Sequence, residues 1–325
     1  MPALSLHKIL HEIVRPFSDL NKQILLLKEF VLSKLNKHAI FIDADIYRSW
    51  TGKIQPQNWG DDLNAHLWTA LFPQKAFFFL PNFHQGKGAI HYQFIGSIVN
   101  PYEKRNFSQR IIWGTGLLRP LKQNTSAGFE NQTFLAVRGP LTRASLLKCG
   151  INCPEVYGDP ALLLPRFFDY TPPPKEKRRG VGIVSAWWEH KNPAFFNFMK
   201  KAETAGACRI KTRGYKDWRD FIREICNSEF VISSSLHGVI VAEAYKIPCL
   251  WVIFSPKQQN EDHYFKYWDF YQSIGKDVPA PLLVTENTTL DELREIASRW
   301  TPGEINTDAL VAACPFPLPA DAKVK

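Results

Sequence analysis

A single histidine lies in a turn whose local structure suits chemistry on a bound anion. The segment from Phe230 to Trp251 starts with β-branched and aromatic residues, passes through three serines to His237 and Gly238, and continues with apolar residues at helical spacing. This order predicts a strand, a polar turn and a short helix that ends at Pro248. The unpaired N–H groups and the dipole at the N-terminus of that helix form a site for an anion.

His237 has two interpretations. A helix N-terminus disfavours the imidazolium ion and a bound phosphate favours it, so the pKa of His237 could be tuned for proton exchange near neutral pH. A lone histidine in a turn between a strand and a helix is also commonly a capping or packing residue. The spacing of the residues leaves both interpretations open.

A second polar turn carries a pair of aspartates. The segment from Asn58 to Asn64 contains Gly60, Asp61 and Asp62, and the apolar residues that follow recur at helical spacing. A carboxylate in this turn could act as a general base or bind sugar hydroxyls. One of the two aspartates could instead be an ordinary N-cap of the helix.

Three further side chains are of types that bind ligands. Arg138 follows a predicted strand, Phe134 to Val137, and a guanidinium there can hold a carboxylate or a phosphate through two parallel hydrogen bonds. Trp187 and Trp188 follow another predicted strand, Gly180 to Ser185. Exposed indoles beside a cleft can stack on sugar rings, whereas buried ones would simply pack.

Composition narrows the class of protein. The 325 residues suffice for two domains, and no apolar run reaches the length of a transmembrane helix. The N-terminus lacks a signal-peptide pattern, so we expect a cytoplasmic protein. The formal charge of +9 suits nucleic acid, anionic lipid or a phosphorylated substrate alike, but without a nucleic-acid-binding motif we expect no nucleic acid partner. The six cysteines lack the spacing of a zinc site, and we predict no metal.

Predicted strands and helices alternate along most of the chain, which indicates an α/β fold with parallel sheets. A proline-rich and then charged stretch, Thr171 to Gly180, indicates a linker. The predicted organisation is a helical extension (1–37), a first domain (38–171), a linker (172–180), a second domain with the histidine turn (181–300) and a tail (301–325). The tail is expected to be loose beyond Pro315.

The N-terminal extension is amphipathic. Apolar residues recur at helical spacing between Leu6 and Leu35, and Pro16 interrupts them, so we predict two helices. Lysines at positions 8, 22, 28, 34 and 37 lie among the apolar residues. A basic amphipathic helix can lie on an anionic membrane surface, although most such helices pack on their own domain.

Six segments, taken together and in order, resemble one family. They are NWGDDLN (58–64), FIGS (94–97), WGTG (113–116), VRGPLTR (137–143), GDPALLLP (158–165) and SSSLHGVIVAEAYKIP (233–248). They look like the polysaccharide pyruvyl transferase family, and most like the exopolysaccharide ketal pyruvate transferases of succinoglycan type. The resemblance extends from about Ile40 to Trp251 and leaves out the N-terminal extension.

The resemblance implies two Rossmann-like domains that face a cleft, as in GT-B glycosyltransferases. It also implies transfer of pyruvate from phosphoenolpyruvate to two hydroxyls of one sugar, as a cyclic ketal, with release of phosphate. The sugar would belong to an exopolysaccharide or to its lipid-linked precursor, and no cofactor other than the donor substrate would be needed. A lipid-linked acceptor would place the enzyme at the inner face of a membrane and would give the basic N-terminal helices a purpose.

This implied chemistry assigns roles to the candidate residues. His237 is the expected general acid and Asp61 the expected general base, with Asp62 as the alternative. Phosphate would sit at the helix N-terminus near Gly238, with Arg138 as a clamp. The other residues predicted to bind substrate are Ser233, Ser234, Ser235, Asn58, Glu243, Trp187 and Trp188, where Glu243 could equally be a packing residue.

One departure from the family pattern lies beside the histidine. Many members carry Arg-Leu-His-Gly where this chain has Ser235-Leu236-His237-Gly238, so a guanidinium expected to hold phosphoenolpyruvate is absent. Backbone N–H groups, serine hydroxyls and a cation from elsewhere would have to replace it, and Arg138 is the first choice. Two rival functions remain open: a nucleotide-sugar-dependent GT-B glycosyltransferase, and a non-enzymatic polysaccharide-binding scaffold that uses the tryptophan pair.

Overall fold

Two parallel five-stranded sheets form the framework of the chain. In this computed structural model, residues 6–44, 46–79, 90–100, 109–122, 128–258, 260–277 and 279–319 are described. The first sheet contains β1 (Ala39–Ile42), β2 (Ala76–Phe79), β3 (Ile90–Gln93), β4 (Gln109–Trp113) and β5 (Gln132–Ala136). The second contains β6 (Val181–Val184), β7 (Cys208–Ile210), β8 (Phe230–Ser233), β9 (Cys249–Ile253) and β10 (Leu282–Leu283). The prediction of an α/β fold with parallel sheets is confirmed.

Helices cover and connect the strands. They are α1 (Leu6–Leu35), α2 (Trp59–Leu71), α3 (Pro140–Lys148), α4 (Leu164–Phe167), α5 (Pro193–Thr204), α6 (Trp218–Asn227), α7 (Leu236–Ala244), α8 (Glu261–Ser273), α9 (Leu290–Ser298) and α10 (Asp308–Ala312). Short 3₁₀ turns occur at Pro160–Leu163, Lys175–Lys177, Trp187–Lys191 and Pro256–Gln258. Among the described residues, no helix combines the length and the apolar character needed to cross a membrane.

Both sheets have the same topology. The strand orders are β2-β1-β3-β4-β5 and β10-β9-β8-β6-β7, so each sheet, counted in its own chain order, follows the pattern 2-1-3-4-5. This is a doubly wound order, and it is consistent with two Rossmann-like units. In such sheets, ligands bind beyond the carboxyl ends of the strands where the order reverses. That position lies between β1 and β3 in the first sheet and between β6 and β8 in the second.

The prediction that the tail is loose beyond Pro315 is wrong at Phe316, which is buried. Residues 301–319 run back to the first sheet and include α10, whose residue Leu310 is fully buried. Its carbonyl oxygen accepts a hydrogen bond of 2.8 Å from the indole N–H of Trp113. Further along, Phe316 packs among aromatic rings that include Trp68 and Tyr92. A buried leucine and phenylalanine among the prolines anchor this segment, while residues 320–325 lie outside the described part.

The N-terminal extension is one helix, so the prediction of two helices separated at Pro16 is wrong. Proline removes one backbone hydrogen bond, which a helix of 30 residues can lose and still remain helical. Residues 1–5 lie outside the described part of the chain. One face of α1 packs on the first domain through Leu25 and Leu26, and Glu29 forms an ion pair with Arg48.

Candidate active site

The candidate site lies where the N-termini of α7 and α2 meet. His237 is the second residue of α7, and Gly60 is the second residue of α2. A Cβ atom built on Gly60 would lie 2.6 Å from Cγ of His237 and closer still to Nδ1, so the imidazole packs directly on the glycine. Trp59 stacks on Phe221 with 4.1 Å between ring centroids, and its own centroid lies 6.5 Å from that of His237. The structure thus brings the histidine turn and the aspartate turn together.

Asp159 lies on the buried side of the His237 ring. Its Oδ1 accepts a hydrogen bond of 2.9 Å from the backbone N–H of Ala161, so Asp159 caps the turn that follows it. Its Oδ2 lies 4.0 Å from Nε2 of His237, and both atoms are buried without a hydrogen-bond partner in the part of the chain that the structure describes. Asp159 is therefore placed to orient the imidazole, which leaves Nδ1 on the side of Gly60.

Electrostatics hold His237 neutral. The pKa of His237 is lowered to about 3, mainly by burial and also by the positive charges of Lys266 and Arg138. Burial also raises the pKa of Asp159 to about 7. A histidine in this state accepts a proton poorly, and an anion bound beside Lys266 would raise the pKa of His237 by offsetting the positive charge.

Lys266, on α8, is the cation of the site. The residue is 9% exposed, and its Nζ lies 4.6 Å from the ring centroid of Trp188 and 5.2 Å from that of Tyr267. The pKa of Lys266 is lowered to about 8, mainly by burial and also by the charge of Arg138, while the charge of Asp61 opposes the shift. Its ammonium group has no ion pair or hydrogen bond with the described residues. A nearly buried cation with unused donors is suited to binding an anion.

The two aspartates of the second turn have different environments. The Oδ2 atom of Asp61 accepts a hydrogen bond of 2.6 Å from the side chain of Asn58, and its charge acts on Lys266. Asp62 is fully buried, and its Oδ2 accepts hydrogen bonds from Tyr215 Oη (2.9 Å), Asn58 N (3.2 Å) and the N–H of Gln57 (3.0 Å). Asp61 therefore remains the candidate base, whereas the geometry of Asp62 favours a structural role. Asn58 contributes by orienting Asp61.

Arg138 joins the two halves of the chain. It is fully buried, and its Nε donates a hydrogen bond of 3.1 Å to Asp269 on α8 while Nη2 lies 3.0 Å from the same carboxylate. The remaining donors bind the Gly96 carbonyl (3.4 Å), Ser97 Oγ (2.7 Å) and the Leu117 carbonyl (2.6 Å). The guanidinium donors are all in use, so this geometry does not support Arg138 as the direct anion clamp.

The serines before His237 mostly shape the turn. Ser233 Oγ donates to the Ser235 carbonyl (2.8 Å) and accepts from the Ser235 N–H (3.1 Å), and Ser234 Oγ accepts from the N–H of Ala186 (3.0 Å). Ser235 is the N-cap residue of α7, and its hydroxyl makes no hydrogen bond with the described residues. Of the three hydroxyls, that of Ser235 is the one that neither donates to nor accepts from another described residue.

The other two predicted residues of α7 lie at different distances from the site. Gly238 allows the helix to pack on β6, because an added Cβ would lie 2.8 Å from a methyl carbon of Val184. Glu243 is fully buried at the far end of α7, where it pairs with Lys276 at 2.5 Å and accepts a hydrogen bond of 3.1 Å from Gly303 N. The prediction that Glu243 binds the donor is not supported, since this carboxylate faces away from His237 along the helix.

The predicted tryptophan pair borders the site. Trp187 is 50% exposed, and Trp188 is half-buried beneath the ammonium group of Lys266. The two indole centroids are 5.8 Å apart, and the ring of Trp188 lies 5.6 Å from that of His263. The two rings therefore extend from the cation of the site towards solvent.

Neither the presence of Lys266 in the site nor the contact between Asp159 and His237 was predicted from the sequence. Lys266 and Asp269 are three residues apart on one face of α8, among aromatic residues. Two charged residues on such a face could have indicated that this helix contributes to a site. Among the described residues, no group of three or more His, Cys, Asp or Glu side chains is arranged as a metal site.

Comparison with known proteins places these residues in one family. The profile of the family described as polysaccharide pyruvyl transferase matches residues 14–256. The chain is 28% identical over 247 residues to the succinoglycan biosynthesis protein ExoV of Rhizobium meliloti (strain 1021), which covers 76% of this chain and 70% of that protein. It is 25% identical over 198 residues to an uncharacterized protein of Acanthamoeba polyphaga mimivirus, covering 57% of this chain and 60% of the relative.

A solved structure of a functionally uncharacterized protein from Klebsiella pneumoniae is 15% identical, with a TM-score of 0.40, and covers 79% of this chain and 96% of that one. That similarity is too low to bear on the site. The family profile, in contrast, includes both turns that meet at His237 and Gly60. The chain belongs to the polysaccharide pyruvyl transferase family.

Proposed function

We propose that this protein transfers pyruvate from phosphoenolpyruvate to two hydroxyls of one sugar, as a cyclic ketal, and releases phosphate. The sugar belongs to an exopolysaccharide or to its lipid-linked precursor. The observation that carries the proposal is that His237, Asp61 and Lys266 converge where two helix N-termini meet. An acid, a base and an anion-binding cation are the groups that this chemistry requires.

Lys266 is the proposed donor-binding cation. It supplies the positive charge that the serine at position 235 lacks, and the N-terminal N–H groups of α7 and the hydroxyl of Ser235 add hydrogen-bond donors. The phosphate and carboxylate of phosphoenolpyruvate bind in this region in the proposal. Arg138 supports the site from behind by holding α8, which carries Lys266, against the first half of the chain.

His237 is the proposed general acid. It protonates the methylene carbon of phosphoenolpyruvate, and a hydroxyl of the sugar attacks the neighbouring carbon as Asp61 takes the hydroxyl proton. Phosphate then leaves with the C–O bond electrons, and the second hydroxyl closes the ring and gives its proton to the departing phosphate. Because His237 has a pKa of about 3 with the protein's charges alone, donor binding must raise that pKa before His237 can act as an acid.

The acceptor sugar lies across Trp188 and Trp187 in this proposal, with its reacting hydroxyls towards Asp61. The two Rossmann-like units then face each other across the site in the GT-B manner. The reaction needs no cofactor besides the donor substrate.

Ligand-dependent thermal stability tests this proposal. We expect phosphoenolpyruvate to raise the melting temperature more than phosphate, UDP or GDP does, because a ligand of the folded state stabilises by mass action. Lys266→Met should abolish that response. Lys257→Met, which changes an exposed lysine in the 3₁₀ turn before α8, should keep it. Stabilisation by a nucleoside diphosphate alone would favour the glycosyltransferase, and sugar binding indifferent to phosphoenolpyruvate would favour the scaffold.

Catalysis is tested by phosphate release from phosphoenolpyruvate in the presence of an acceptor saccharide. A positioned acid contributes about 10²- to 10⁴-fold, so His237→Ala should lose at least about a hundredfold in rate while remaining folded. Near-normal turnover by His237→Ala would remove this residue from the role.

We also propose that α1 rests on the inner face of a membrane, where a lipid-linked acceptor would be found. Lys22 and Lys28 face the domain, over the rings of Tyr47 and Trp50, so they are not the contact. The opposite face of α1 exposes an apolar row at helical spacing, namely Leu20, Ile24, Leu27, Val31 and Leu35. This row is suited to the interface of a bilayer, and the location proposed is cytoplasmic and peripheral.

Cosedimentation with anionic phospholipid vesicles tests the membrane contact. The variant Leu20→Ser/Leu27→Ser/Val31→Ser should lose vesicle binding, because it removes three apolar side chains of the row. A matched control, Leu147→Ser/Phe196→Ser/Ile296→Ser, changes three exposed apolar residues elsewhere and should bind as the unmodified protein does. Equal binding by the two variants would contradict the proposal.

A further inference from the structure

A second cluster of positive charge lies at the carboxyl edge of the second sheet. Arg209 is in β7, Lys211 and Arg213 follow that strand, and together with Trp187 they line a cavity of about 280 Å³ beside the ends of β6 and β7. We call this cavity the basic pocket. It is separate from Lys266, which lies on α8 on the other side of Trp188.

The cations of the basic pocket form no close ion pair with the described residues, although the charge of Lys211 acts on Glu224. Among the described residues, no Asp or Glu lies within ion-pair distance of Arg209, Lys211 or Arg213. Other arginines of the second half, such as the half-buried Arg219 and the exposed Arg294, do form ion pairs with nearby carboxylates. Three like charges around one cavity repel each other, and a bound anion with more than one negative charge would relieve that repulsion.

Two of these side chains are held in place by neighbours. The guanidinium of Arg209 lies 5.2 Å from the ring centroid of Phe195, and Arg213 Nη2 is 3.5 Å from Oε1 of Gln57. A guanidinium presents donors that match the oxygens of a phosphate group. The chemistry of the basic pocket therefore matches a phosphate or a diphosphate.

The basic pocket is joined to the candidate active site. The carbonyl of Thr212, in the wall of the pocket, accepts a hydrogen bond of 2.8 Å from the N–H of Trp59, the first residue of α2. On the other side, Trp187 of the pocket contacts Trp188, which lies under Lys266. Two indole rings thus connect the basic pocket to the cation that we assign to the donor.

The order of Lys266, Trp188, Trp187 and the basic pocket indicates that an anion in the basic pocket belongs to the acceptor and not to the donor. The donor phosphate must lie within reach of His237, and the basic pocket lies beyond both indoles. We propose that the basic pocket binds the phosphate or diphosphate group of a phosphorylated saccharide acceptor, whose sugar lies across Trp187 and Trp188 towards His237. The inference rests on the proposed function. A diphosphate could come from a polyprenyl-linked or a nucleotide-linked saccharide, and the two sources share this chemistry.

Calorimetric titration with inorganic diphosphate, geranyl diphosphate and UDP tests the inference. The variant Arg209→Gln/Lys211→Gln/Arg213→Gln removes the three cations, and Lys175→Gln/Lys177→Gln/Lys200→Gln removes three exposed charges elsewhere. We expect the pocket variant to bind inorganic diphosphate at least about tenfold more weakly and the control variant to bind like the unmodified protein. Lys211→Gln alone, with a smaller loss, serves if the triple variant does not fold.

The outcomes separate the claims. Tighter binding of geranyl diphosphate than of UDP supports a lipid-linked acceptor, the reverse order supports a nucleotide-linked one, and both support the pocket. Equal weakening in the pocket and control variants, or no diphosphate binding by the unmodified protein, overturns the inference. Stabilisation by phosphoenolpyruvate should persist in the pocket variant. If phosphoenolpyruvate does not stabilise even the unmodified protein, the result counts against the proposed function and not against the basic pocket.

Discussion

Gly60→Ala is a small change that should disable the site through His237. The added methyl carbon would lie 2.6 Å from Cγ of the imidazole, whereas non-bonded carbons rest about 3.5–4.0 Å apart. The nearest ring atom, Nδ1, would lie 1.9 Å from the methyl carbon, so the ring must move by about 1.5 Å to reach ordinary contact. A displacement of this size in a catalytic group can lower the rate about a hundredfold.

The stability effect has two opposing parts. Alanine in place of glycine favours a helix by up to about 1 kcal/mol. Overpacking against a buried ring costs about 1–3 kcal/mol. We expect net destabilisation of about 1–2 kcal/mol by urea denaturation, together with the hundredfold loss in kcat/KM for phosphoenolpyruvate.

A double-mutant cycle with His237→Ala tests the reason for these effects. Removing the imidazole also removes the overlap, so Gly60→Ala should no longer destabilise the protein in the His237→Ala background. The activity of the double variant should equal that of His237→Ala. If Gly60→Ala stays within threefold of full activity, or if its stability cost persists without the imidazole, the contact does not place His237 as described.

Three further predictions concern the groups around His237. Asp269→Asn removes the charge partner of the buried Arg138 and should destabilise the protein by about 3–5 kcal/mol, measured by urea denaturation; a loss below 1 kcal/mol would show that the pair does not join the halves. Lys266→Met should raise the pKa of His237 in an NMR titration, because the lysine charge lowers that pKa. An unchanged pKa would show that the charge of Lys266 does not act on His237. Burial raises the pKa of Asp62 from 3.8 to about 7, so the carboxyl binds its proton more tightly when folded, and stability should fall as the pH rises from about 4 to about 7. Asp62→Asn should flatten that part of the pH profile, and an unaltered slope would refute the assignment.

Much of the local structure was predictable because it depends on neighbours in sequence. The strand, turn and helix around His237 follow from β-branched residues, serines and Pro248, and the observed β8 and α7 confirm them. The turn before α2 was predicted from Gly60 and the aspartates in the same way. The order of the six family segments indicated the family, and the profile match confirms it.

Long-range contacts were not predictable, since periodicity reports only which face of its own element a residue occupies. Arg138 was predicted to bind a carboxylate or phosphate of the ligand. Its partner is instead Asp269, which is 131 residues away in sequence and belongs to α8 of the second half. The same docking of α8 brings Lys266 to the site. Glu243 was misplaced because its position one and a half turns along α7 gave no information about Lys276.

The sequence by itself determined the α/β alternation, the two polar turns, the family and the identity of the candidate acid and base. Only the tertiary structure decided that the two turns meet, that Asp62 is buried while Asp61 is directed to the site, and which cation lies beside His237. The physical reason is that residue type fixes what a side chain can do, whereas its pKa and its partners depend on burial and on charges brought close by packing between distant segments.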